Sequence, residues 1–126
     1  MPLYDFRIGG ALFDQLSLHA KAQLDKTSKR LMSEGKLVVM LGPLHNNSIP
    51  LDSLVGIIKE IRLRDDDNLW ALLNYYDTVS GYVGRIYVME NCPVILTPVG
   101  IGRYGEGQII EDFKLIAFTF RPSNEV

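Results

Sequence analysis

The rhythm of apolar and polar positions changes several times along the chain. Residues 3–8 alternate loosely and then meet Gly9-Gly10, which predicts a strand ended by a turn. From Ala11 the spacing becomes helical. Leu12, Leu16, Ala20, Leu24 and Leu31 recur on one face, with Lys21, Asp25, Lys29 and Arg30 between them. This predicts one amphipathic helix that stops at Gly35, its basic side chains near the end suiting the helix dipole. Residues 37–41 are a continuous apolar run, the pattern of a buried strand. Gly42-Pro43 ends that run and delivers Leu44, His45, Asn46 and Asn47 into a loop, and Pro50 with Asp52 sets up one helical turn or a bend.

Residues 55–64 mix periods and read as a strand, Asp65, Asp66, Asp67 and Asn68 as a polar turn, and residues 69–76 as an aromatic-rich strand, together a hairpin. Val83, Ile86, Tyr87 and Glu90 fit a helix over residues 82–90, which Asn91-Cys92-Pro93 breaks. Residues 94–97 are a short strand, and 98–107 read as a glycine-rich loop. The last strand, 109–120, is apolar on both faces beyond Leu115, so it is expected to be central. The resulting fold class is α+β, a curled or barrel-like mixed or antiparallel sheet of six to seven strands with two main helices, in one domain over residues 1–126.

Composition narrows the functional classes. With 47% hydrophobic and 22% charged residues the chain has the make-up of a folded core protein. A net charge of −2 gives no global attraction to nucleic acid, so no direct nucleic-acid partner is expected. No stretch approaches the ~18 unbroken apolar residues of a membrane helix, so no membrane partner is expected either. The opening residues, MPLYDFRIGG, carry no secretory signal pattern, which leads to an expectation of synthesis in the cytoplasm. Cys92 is the only cysteine and is expected to be a small buried hydrophobe.

Few residues invite chemistry. His19 falls within the first helical pattern, at its surface or core edge, whereas His45 sits in a loop just past a buried strand, where catalytic groups are often presented. The triple aspartate lacks the alternating ligands of a calcium loop and reads as a solvated turn. Gly100, Gly102, Gly105 and Gly107 are not followed by the Gly-Lys-Ser/Thr of a phosphate loop. No metal and no cofactor is expected.

The order of these segments carries a resemblance. Gly42-Pro43-Leu44-His45, then residues 49–58, then Asp77-Thr78 with Gly81, then residues 94–102, then residues 110–115 with Asp112-Phe113 and Leu115, resemble the prohead (head-maturation) proteases of T4-like tailed phages over about two thirds of the chain. That family has an Asp-Thr-x-x-Gly helix start, a Ser-Ser-Arg-Gly-x-Gly loop and a final Asp-Phe-x-Leu strand, and its fold is akin to the herpesvirus assembly proteases. The resemblance implies a histidine and a serine as the heart of a serine-protease site, with His45 as the histidine. The family's serine pair falls on Thr97 and Pro98, and its arginine on Val99. The β-branch of an internal threonine crowds an attack geometry made for serine. Pro98 removes a backbone N–H, and Val99 removes a charged donor whose loss typically costs ~3 kcal/mol in the transition state. Asparagine follows His45 where the family tends to have proline. Asp77 or Asp112 are the candidates for a third catalytic group, each with an alternative as a helix cap or a strand-edge carboxylate.

The resemblance with its missing serine leads to an expectation of a degenerate, non-catalytic member: a phage head protein, such as a decoration or cement protein, located in the virion head. Its partners are then capsid or other head proteins in an oligomeric assembly. The alternatives are an active maturation protease using His45 and Thr97 on scaffold and capsid precursors, and a regulator of a true prohead protease.

Overall fold

The structure is a computed structural model and describes residues 3–44, 46, 48–64 and 68–122. Its centre is a hairpin. Strand β3 (Leu54–Leu63) and strand β4 (Leu69–Tyr75) pair antiparallel from Leu63↔Leu69 to Gly56↔Tyr75, with a slip between Ile58 and Glu60. The aspartates 65–67 that join them lie outside the described residues. Alternation along β4 turns Ala71, Leu73 and Tyr75 inward. Strand β1 (Leu3–Ile8) adds antiparallel to β4, and the short β2 (Val38–Met40) adds antiparallel to β3. The long β6 (Ile110–Pro122) runs parallel to β2, and β5 (Val94–Tyr104) pairs antiparallel with β6. Two parallel pairs, Arg7↔Ile95 and Ile8↔Leu96, join β5 to β1 and close the sheet into a six-stranded barrel in the order β1-β4-β3-β2-β6-β5.

The fold class read from the sequence is therefore the observed one, and β6 is the interior strand the sequence predicts: residues 117–120 are all buried, on both faces. Phe6, Tyr75 and Phe120 meet edge to face in the core, with Phe6 and Phe120 ring centroids 5.3 Å apart. Burying side chains of this size stabilises by about 1.5–3 kcal/mol each.

Four expectations are corrected. The single helix from Ala11 is two: α1 (Ala11–Asp14) and α2 (Leu18–Ser33). Between them Leu16 turns into the core and the backbone bridges to β6, with Ile110 N–H donating to Gln15 O and Ser17 N–H to Ile110 O, both at 2.9 Å. Ser17 then caps α2 by accepting from Ala20 N–H at 3.0 Å. Helix α2 lays Ala20, Leu24 and Ser28 on the barrel and ends in a Schellman motif, with Lys36 N–H on Leu31 O and Gly35 N–H on Met32 O. Gly35 holds the required left-handed conformation at φ 68°.

Second, the glycine-rich stretch 98–107 is not a loop. Strand β5 continues through it to Tyr104, and a 3₁₀ turn follows at Glu106–Gln108. Gly100 lies at a bulge, where a Cβ would stand 2.0 Å from Lys114 O, so this glycine serves close strand approach rather than a turn. Pro98 is tolerated because the β1 ladder has ended at Leu96, whose carbonyl accepts from Gly9 N–H at 3.0 Å.

Third, the second helix begins earlier, and of the apolar residues expected on its face Tyr87 packs on the core beside Phe120 while Ile86 does not. Helix α3 (Val79–Met89) is capped by Thr78, which accepts from Gly81 N–H at 3.0 Å, and it presents Ser80, Gly81 and Gly84 to the barrel. Glycine is required by space here: a Cβ on Gly81 would lie 2.1 Å from Tyr76 O, and one on Gly84 2.8 Å from a Val55 methyl. Ile86, expected on the packed face, is exposed. Fourth, Cys92 is exposed rather than buried, because it occupies the Schellman turn that ends α3, with its N–H on Tyr87 O and Asn91 at φ 57°.

Candidate functional site

The β5–β6 register brings Thr97 opposite Thr119. The Thr119 hydroxyl donates to Gly42 O at 3.0 Å, with Met40 O at 3.4 Å. Gly42 leads into the loop that carries His45, so the strand pair bearing Thr97 is tied to the root of the histidine loop. His45 itself lies outside the described residues.

Thr97 is closed in. It is 5% exposed, and its hydroxyl oxygen is buried with no hydrogen-bond partner among the described residues. The cover comes from the turn after β1. Gly10, at φ 97°, approaches so closely that a Cβ there would lie 2.7 Å from Thr97 Oγ1. The oxygen itself is buried although Thr97 borders a groove, and attack requires approach to about 3 Å along an open line.

Two grooves flank the β5–β6 pair. One, of about 480 Å³, is lined by Leu41, Pro43, Tyr87, Val99 and Phe120 among others. The second, of about 360 Å³, has Gly10, Leu12, Ile95 and Thr97 in its wall. Arg121 reaches both. The sequence reading missed it, because Arg121 enters through the pairing Ile95↔Arg121 and is distant in sequence from Val99, with which it shares both grooves.

Neither carboxylate candidate hydrogen-bonds to the Thr97 hydroxyl. Asp77 is exposed immediately before α3, and the cap expected of it is made by Thr78 instead. Asp112 pairs across from Arg103, six residues along β5 from Thr97, roughly 20 Å at strand rise. There it forms a surface cluster: Arg103 donates from Nε at 2.9 Å and also from its terminal nitrogen, Gln23 Nε2 donates at 3.3 Å, and His19 Nε2 stands at 3.4 Å. The Arg103 hydrogen bond is the main cause that holds the Asp112 carboxyl below its ordinary range. Gln23 also accepts from Phe113 N–H at 2.9 Å, so the cluster latches α2 to β6.

Four serine hydroxyls are engaged in structure, whereas Ser28 Oγ, on the packed face of α2, is buried with no hydrogen-bond partner among the described residues. Ser33, Ser53 and Ser80 donate to Arg30 O, Pro50 O and Asp52 O, and Ser17 serves as the α2 cap. Among the described residues no group of three or more His, Cys, Asp or Glu side chains could hold a metal ion, and no helix is long and apolar enough to cross a membrane.

Fold and site thus define a closed six-stranded barrel with helices on its surface and a shut-in threonine at its strand pair. Comparison with protein-family models, with curated proteins and with solved structures finds no match.

Proposed function

We propose that this protein is a non-catalytic structural component of a phage head, a decoration or cement protein built on the maturation-protease type of barrel. The observation that carries the reading is the state of Thr97. At the position where the resembling family has its nucleophile, the hydroxyl is buried, unpartnered among the described residues and covered by Gly10. Beside it Pro98 has no backbone N–H to donate and Val99 brings no cation. The context of a phage head rests on the order of the motifs from Gly42 to Leu115.

Two measurements test it. Incubated with phage scaffold and capsid precursors, the protein is expected to leave them uncut. Cleavage abolished by His45→Ala or Thr97→Ala overturns the reading. Quantitative mass spectrometry of purified mature virions is expected to find the chain in stoichiometric amount, and its loss on maturation overturns the structural role.

A further inference from the structure

Helix α3 is apolar on the side turned away from the barrel. Val79, Tyr82, Ile86 and Met89 are 82%, 60%, 39% and 74% exposed, and they form one row along the helix. A surface helix normally places charge on its outward side, and an outward row that is apolar throughout is a face open to a partner. The only charged residue within α3, Arg85, stands over the ring of Tyr75, 5.6 Å from its centroid. The row itself is neutral.

What covers it is indicated by the row's own symmetry. Its steps are three, four and three residues, so the row read backwards has the same spacing. Laid antiparallel on a copy of itself, α3 sets Val79 against Met89 and Tyr82 against Ile86, a compact side chain opposite a long one in every pair. The geometry points to a homodimer in which two α3 helices pack antiparallel about a two-fold axis, an isologous contact.

The area is sufficient. Leu51, 86% exposed, sits on the 3₁₀ turn that Ser80 holds against the N-terminus of α3, its hydroxyl 2.7 Å from Asp52 O. With Leu51 the row offers on the order of 600 Å² per copy, hence about 1,200 Å² for the pair, the lower bound of specific interfaces. An interface at this lower bound, with no charged anchor in the row, is expected to associate in the micromolar range. Antiparallel packing also sets the helix dipoles head to tail. It brings the exposed Asp77 of one copy near Glu90 of the other, so added salt strengthens the pair by screening that repulsion. The inference stands on the exposed row alone and does not depend on the head-protein reading.

Sedimentation equilibrium over a concentration series tests it. The wild-type chain is expected to pass from monomer to dimer in the micromolar range, more tightly at higher salt. Tyr82→Glu and Ile86→Lys alone are each expected to weaken association at least tenfold, while Leu18→Lys, on α2 and 87% exposed, leaves it unchanged. Mixing the Tyr82→Glu and Ile86→Lys chains restores dimers, because the two new charges face one another across the axis. All these side chains are exposed, so folding is expected to persist, and circular dichroism checks it. A wild-type chain that stays monomeric at several hundred micromolar overturns the inference. So does a dimer indifferent to either substitution, or one that the mixture fails to restore.

Discussion

Replacing Thr97 with valine separates a buried strut from a nucleophile. A hydroxyl taken out of water without a hydrogen-bond partner costs about 1–3 kcal/mol. Thr97 meets that description among the described residues, at 5% exposure with no partner for Oγ1. Valine keeps the β-branch and the strand preference of threonine and puts a methyl where the oxygen stands. The methyl is slightly larger, and its close neighbour is Gly10, which has no side chain to displace, so the repacking cost is taken as under about 1 kcal/mol. The expected net effect is a stabilisation of about 1–2 kcal/mol. In a domain of this size that raises the thermal midpoint by roughly 3–10 °C and the urea midpoint by about 0.5–1.5 M. Urea unfolding followed by circular dichroism, with the slope unchanged, is the assay. A loss of 1 kcal/mol or more would refute the reasoning, since it means the hydroxyl has a partner. His45→Ala in both backgrounds then identifies it: a coupling above about 0.5 kcal/mol between positions 45 and 97 restores the catalytic pair and removes the case for a structural role.

Three further perturbations test the scaffold. Gly81→Ala gains about 1 kcal/mol of helix propensity, yet its Cβ meets Tyr76 O at 2.1 Å, so a net destabilisation of about 2–4 kcal/mol is expected in the same urea assay. Gly35→Ala meets nothing within 4 Å and costs only the left-handed backbone conformation, about 1 kcal/mol. Asp112 has a folded-state pKa held below its unfolded value, so its contribution is present above the unfolded pKa and is lost as pH falls through the folded one. Asp112→Asn is therefore expected to flatten the acid limb of a stability–pH profile while leaving the profile's shape above pH 6 unchanged.

The fold was legible wherever the signal was local. The alternation of residues 69–76, the unbroken run at 37–41 and the two apolar faces beyond Leu115 each predicted a strand that forms. What failed depended on distant partners. Leu12, Leu16 and Ala20 are spaced by four, so nothing nearby announces the break at Leu16, which is made by Ile110 on the far end of the chain. The glycines after Pro98 look like a loop because the reason for Gly100, the Lys114 carbonyl, lies on the neighbouring strand. The packed face of helix α3 was read only in part, Tyr87 packing as expected and Ile86 not, for a different reason. Its fully buried residues are Ser80, Gly81 and Gly84, which carry no hydrophobic signal, with Tyr87 and Val88 packing beside them, while Val79, Tyr82, Ile86 and Met89 are apolar and exposed. At the candidate site, Thr97 was singled out only through the resemblance, and its close approach to Gly10 is a contact no spacing rule foresees.

The two threonines of the β5–β6 pair are both placed where their hydroxyls face packed structure. Thr119 donates across to Gly42 and fixes the exit of β2, the element that carries the histidine loop. Thr97, directly opposite, is sealed by the turn that ends β1. A catalytic hydroxyl needs the reverse of both conditions, an open approach and a base as its hydrogen-bond acceptor. Opening Thr97 would require moving Gly9 and Gly10. That movement breaks the Gly9–Leu96 hydrogen bond beside the two residue pairs that close β1 on β5. Exposure of this hydroxyl and closure of the barrel are therefore in competition at one seam, and in this chain closure wins.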